Sequence, residues 1–124
     1  MNKKIIKYHY FFDLNEILID RYPAKISHEI LNNDNTAKFV FIYSEKYSYE
    51  QPKNIPLGSE IIFMPFITEK KINNLFDIYS PLSVTTVAQR IPDLLIIFLS
   101  NKKKIPTHTI QHGIWSDKIE RISI

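Results

Sequence analysis

Pro92-Asp93-Leu94-Leu95-Ile96-Ile97-Phe98-Leu99, then Lys102-Lys103-Lys104, then Ile105-Pro106-Thr107-His108-Thr109-Ile110-Gln111-His112-Gly113, is the stretch on which the fold turns. Its first part is apolar on nearly every side, and periodicity alone does not separate a buried strand from a buried helix. The flanks do. Pro92 and Asp93 suit a first helical turn, where a missing N–H is harmless and a negative charge is favoured. The three lysines suit a helix C-terminus. Connectivity argues the same way. Leu82 to Ala88 is β-branched and reads as a strand, and so does Pro106 to Ile110. Parallel neighbours need a crossover of about a dozen residues, usually a helix. The segment is therefore expected to be a helix, well buried, inside a strand–helix–strand unit.

Working outward, Lys38-Phe39-Val40-Phe41-Ile42-Tyr43 and Glu60-Ile61-Ile62-Phe63-Met64 are strands by their aromatic and β-branched content. Thr68 caps a helix whose apolar stripe is Ile72, Leu75, Phe76 and Tyr79, and Ser80-Pro81 ends it. Asn32 to Thr36 is a polar turn, and Glu45 to Gly58 is a long polar connection. The beginning of the chain supports two readings. In one, Ile5 to Phe12 is a strand, and Asp13 caps a helix running through Leu14, Ile17, Leu18, Tyr22, Ile26 and Ile30, broken or kinked at Pro23. In the other, the strand is Glu16 to Asp20 and the helix starts near Ala24. The element order is β-α-β-β-α-β-α-β. It specifies an α/β, Rossmann-like domain: a mostly parallel sheet of about five strands with helices on both faces.

The 124 residues fit one domain, spanning 1–124, with 44% hydrophobic and 23% charged residues, enough to bury a core. A charge of +3 with dispersed lysines lacks the dense basic stripe of a nucleic-acid binder. The chain has no cysteine, so disulfides and thiolate metal sites are excluded. No apolar run reaches the ~20 residues of a membrane span, and the apolar start is broken by Lys7, His9 and Asp13, unlike a signal peptide. A cytoplasmic protein is expected.

Only two glycines occur, Gly58 and Gly113, so neither a Gly-x-Gly-x-x-Gly loop nor a Walker loop can be built. NAD, FAD and P-loop nucleotides are rejected, and no cofactor is expected. A phospho-receiver would need clustered carboxylates after the first strand and a lysine after the last; the chain offers Asp13 and His112 instead.

The chemistry is expected at the carboxyl edge of the sheet, where α/β proteins present ligand-binding groups. His112 ends a strand and is followed by Gly113, which permits a sharp turn and an exposed imidazole, a general base or phosphate contact. Gln111 precedes it. Gln89-Arg90 ends the preceding strand on the same edge, where a guanidinium suits a phosphate or carboxylate. Trp115 offers a ring to a sugar or to a domain interface. His108 shares a side of its strand with Ile110 and His112 but has no third ligand nearby, so it reads as a packed or edge histidine and no metal is expected. Asp13 and Asp20 read as a cap and a surface charge.

Val84-Thr85-Thr86-Val87-Ala88-Gln89-Arg90, the helix opened by Pro92-Asp93, and Ile105 to Ile114 together resemble the amino-terminal half of bacterial GT-B glycosyltransferases, closest to those of capsule and lipopolysaccharide synthesis. The Gln-His-Gly tip is also similar to that of UDP-N-acetylglucosamine 2-epimerases and, more loosely, to the Trp-His-Gly of teichoic-acid glycerophosphotransferases. The resemblance is carried by residues from Val84 onward; earlier it rests on element order. It implies an acceptor-side domain facing a donor-nucleotide domain across a cleft. His112 would lie near the reacting groups, with Gln111 and Gly113 shaping the loop. It further implies that the sugar acceptor and nucleotide-sugar donor are bound only by the full two-domain enzyme. The chain would then be a truncated or split form, inactive alone. Two other expectations stand beside it: a non-catalytic partner-binding module, and a fragment of an epimerase-like enzyme. In each case the surface carried by Ile114, Trp115, Ile119, Ile122 and Ile124 is expected to meet a second copy or a carboxyl-terminal domain.

Overall fold

The computed structural model describes residues 6–15, 19–46, 52–86 and 91–110. These form, in order, β1 (Lys7–Asn15), α1 (Tyr22–Asn33), β2 (Lys38–Glu45), β3 (Glu60–Phe63), α2 (Glu69–Ile78), β4 (Ser80–Thr86), α3 (Ile91–Lys102) and β5 (Thr107–Thr109). The strands make one five-stranded sheet in the order β3-β2-β1-β4-β5, every pairing parallel. The β-α-β-β-α-β-α-β order expected from the residues is the order observed.

Alternation along the strands divides the core in two. On one face, Tyr10, Phe12, Val40, Ile42 and Val84 meet Ile72, Leu75 and Phe76 of α2 and Ile96 and Leu99 of α3. On the other, Phe11, Phe39, Phe41 and Tyr43 meet Ile26, Ile30 and Leu31 of α1. The helices therefore lie on both faces. β1 is the central strand and carries aromatics to both sides, Phe11 and Phe12 each being 1% exposed. Burying each such side chain contributes about 1.5–3 kcal/mol. Tyr10 adds a polar function to its apolar one. Its hydroxyl donates to the carbonyls of Leu75 (3.1 Å) and Tyr79 at the end of α2, tying β1 to that helix end; Leu75 O also accepts from Tyr79 N at 2.8 Å.

The first strand and first helix take one half of each sequence reading. β1 is the strand of the first reading, extended to Asn15; Asp13 pairs with Tyr43 in the β1–β2 ladder and is a strand residue. Leu14 is likewise a strand residue. The helix is that of the second reading, beginning at Tyr22, and Pro23 sits in its first turn, where its missing N–H costs no hydrogen bond and produces no kink. Tertiary pairing with β2 decides the outcome: an extended Asp13–Asn15 gains ladder bonds that an isolated helical turn lacks.

Thr68 caps α2 as expected, its hydroxyl accepting from Lys71 N at 3.3 Å. α3 is the expected helix but is not buried on most sides. Ile96 and Leu99 are buried, whereas Leu94 and Phe98, one turn apart, are each 62% exposed. The helix lies on the sheet with one face only, and its composition overstated its burial. Its C-terminus closes with two bonds, Lys104 N to Asn101 O (3.0 Å) and Ile105 N to Ser100 O (2.9 Å), a Schellman arrangement that puts Lys104 at φ 60°.

The β2–β3 connection carries no helix or strand among its described residues 52–59. It is clamped instead. Asp20, expected to be a surface charge, accepts from Lys53 N (2.8 Å) and Asn54 N (2.9 Å), and His28 Nε2 lies 2.7 Å from Asn54 O. Ile55 packs under the connection onto the second core cluster.

Candidate functional site at the sheet edges

In this strand order the chain leaves β1 toward β2 on one side and reaches β4 on the other, so the switch point lies between β1 and β4. Ligands of open α/β sheets bind outside the carboxyl ends of the strands at such a point. The strand ends there are Asn15 of β1 and Thr86 of β4, with Thr109 of β5 next along. β4 and β5 end in register: Thr86 pairs with Thr109, their hydroxyls are 3.3 Å apart, and Ile110 N donates to Thr86 O at 2.7 Å. Thr86 is fully buried, so its hydroxyl is held by this contact.

The residues singled out from the sequence, Gln89, Arg90, Gln111, His112, Gly113 and Trp115, all lie outside the described residues, as does the Ile114 to Ile124 surface. What the structure does supply is the pair of strands leading into them. The chain reaches Gln89-Arg90 from β4 and Gln111-His112 directly after Ile110, and β4 and β5 are neighbours. His108 is described: it is exposed, on an edge strand, in register with Thr85. That agrees with an edge histidine. Among the described residues, no three His, Cys, Asp or Glu side chains gather as a metal site, and no helix is long and apolar enough to cross a membrane.

α3 starts just beyond β4, and its first turn carries Asp93, 8% exposed. A carboxylate there answers the positive end of the helix.

A second concentration of polar groups lies at the opposite, amino edge, and sequence reasoning missed it. His9 of β1 stacks on Phe39 of β2, ring centroids 5.7 Å apart, and its Nδ1 lies 2.6 Å from Ser83 Oγ of β4. Burial, first, holds the pKa of His9 below its ordinary value of 6.5; Asp34 acts to raise it and His108 to lower it. Asp34 caps the C-terminus of α1, its Oδ1 accepting from Thr36 N (3.0 Å) and Thr36 Oγ1 (2.6 Å). Those bonds, side chain first, hold its pKa below the usual carboxylate value. The only signals in the sequence were His9 on the polar side of the first strand and Asp34 in a polar turn. Ser83 carried none, because its meeting with His9 depends on β1 pairing with β4 across most of the chain.

Comparison with family models, with curated proteins and with solved structures found no match.

Proposed function

We propose that this chain is the acceptor-side domain of a glycosyltransferase-like protein of bacterial surface polysaccharide synthesis. On this reading a separate donor-nucleotide domain completes the cleft. One observation carries the reading: β4 and β5 end side by side next to the switch point, and these are the strands from which the chain enters Gln89-Arg90 and Gln111-His112-Gly113. The scarcity of glycine supports an acceptor role over nucleotide binding in this half. In the assembled enzyme His112 would accept the proton of the attacking hydroxyl or contact the donor phosphate, with Arg90 as anion partner, and Gln111, Gly113, Gln89 and Trp115 would shape and floor the acceptor site.

The test is an amide-resolved NMR titration of the chain with short oligosaccharides ending in an N-acetylhexosamine. The expected result is perturbation at Thr86, Thr109 and Ile110, lost in His112→Ala and reduced in Arg90→Ala while both variants stay folded. Perturbation that ignores His112→Ala, or none on this edge, overturns the reading.

A second reading, a non-catalytic partner-binding module, is favoured by the exposed Leu94 and Phe98 on the outer face of α3. It predicts self-association or partner binding that Phe98→Glu removes and His112→Ala leaves intact.

A further inference from the structure

The amino edge holds a concavity of about 340 Å³ lined by Ile6, Lys7, His9, Asp34, Thr36, Ala37 and Leu82. That volume falls in the range of small-ligand sites, which combine apolar walls with a few convergent polar groups. Here the walls are Ile6 and Leu82, 58% and 41% exposed, two large aliphatic side chains turned to solvent on the rim of one hollow. The polar groups come from two places in the chain: Lys7 and His9 from β1, and Asp34 and Thr36 from the turn between α1 and β2.

We propose that this concavity binds a small zwitterion with an aliphatic body, of which a branched-chain α-amino acid is the simplest example. The ammonium sits on Asp34, the carboxylate on Lys7, and the aliphatic part lies between Ile6 and Leu82. The site is independent of the carboxyl-edge reading above. Asp34 stands at the negative end of α1, whose last turn contains no basic residue, so a cation is favoured there. Its Oδ1 is engaged by both Thr36 bonds, which leaves Oδ2 for the ligand. Lys7 on the same wall opposes a ligand that is only cationic and rewards one that also brings an anion. His9 has its Nδ1 against Ser83 Oγ, so Nε2 is the nitrogen left to hydrogen-bond the ligand, and its burial favours the neutral ring.

Titration of the full chain with L-leucine, isoamylamine and isovalerate, followed by calorimetry and amide NMR, decides the matter. Leucine is expected to perturb Thr36, Ala37 and Leu82, and to bind at least about tenfold more tightly than either analogue, which lacks one charge. Asp34→Asn keeps the local turn, because asparagine makes the same side-chain-to-backbone bond, and is expected to weaken leucine about tenfold. Lys7→Gln should weaken leucine but not isoamylamine. The proposal is overturned if isoamylamine or isovalerate binds as tightly as leucine, if folded Asp34→Asn binds leucine like the parent, or if leucine perturbs only the carboxyl edge. The last result cannot be confused with failure of the glycosyltransferase reading, which is read by oligosaccharides at Thr86 and Thr109.

Discussion

At His9 the imidazole is held between Phe39 and Ser83 in a half-buried position, and the consequence is a pH dependence of stability. The folded-state pKa lies below the ordinary value of 6.5, so the unfolded chain binds more protons at this residue. Its contribution is fully present above 6.5 and is lost as the pH falls through 6.5 toward the depressed folded value. Urea midpoints measured between about pH 7.5 and pH 5.5 should therefore decline, and His9→Gln should flatten that decline. An unchanged slope in His9→Gln would mean that other groups govern this range. Asp34 acts with the same sign in a lower window, through hydrogen bonds to its charged form: its depressed pKa lends stability above the usual carboxylate value, lost as the pH falls through the folded one. The polar partners of these two residues were not legible in the sequence. His9 and Ser83 meet through a parallel ladder between β1 and β4, and no local pattern encodes which strands become neighbours.

At the scale of the element, the C-terminus of α3 shows what periodicity and end signals deliver. The sequence indicated a helix with lysines at its end, and Lys102 to Lys104 are there. The end is closed by a Schellman pair of hydrogen bonds that requires a left-handed residue, and this chain puts Lys104 there at φ 60°. A β-carbon in that region costs energy that glycine avoids. Lys104→Gly is thus expected to stabilise the protein by about 0.5–1 kcal/mol, read as a higher urea midpoint with an unchanged slope. A lower midpoint would show that the lysine side chain gives more than its backbone strain costs. The helix start after β1 is the contrasting case. Asp13 had the residue type of a cap, yet it extends β1 because β2 offers it a partner strand. Local preference loses wherever a neighbouring strand supplies a full row of hydrogen bonds.

At the scale of the whole molecule, α3 separates composition from burial. Its residues Leu94 to Leu99 are uniformly apolar, but Leu99 is 1% exposed and Phe98 62% exposed. Leu99→Ala is expected to cost about 2–5 kcal/mol by opening a cavity between α3 and the sheet, while Phe98→Ala should lie within about 0.5 kcal/mol of the parent. Chemical denaturation of the two variants checks the orientation directly, and similar losses at both positions would contradict it.

The sequence by itself determined the alternation of strands and helices, the parallel character of the sheet and the rejection of a glycine-rich nucleotide loop. Each of these depends on local pattern, on chain connectivity or on counting residues. Only the tertiary structure decided where the first strand ends, which face of α3 is wet, that Asp20 clamps the β2–β3 connection, and that β4 and β5 end together beside the switch point. It also decided that Lys7, His9, Asp34 and Leu82 share one hollow. Those outcomes depend on strand order and packing between residues far apart in the chain, where the free energy belongs to the pair and neither residue carries it alone.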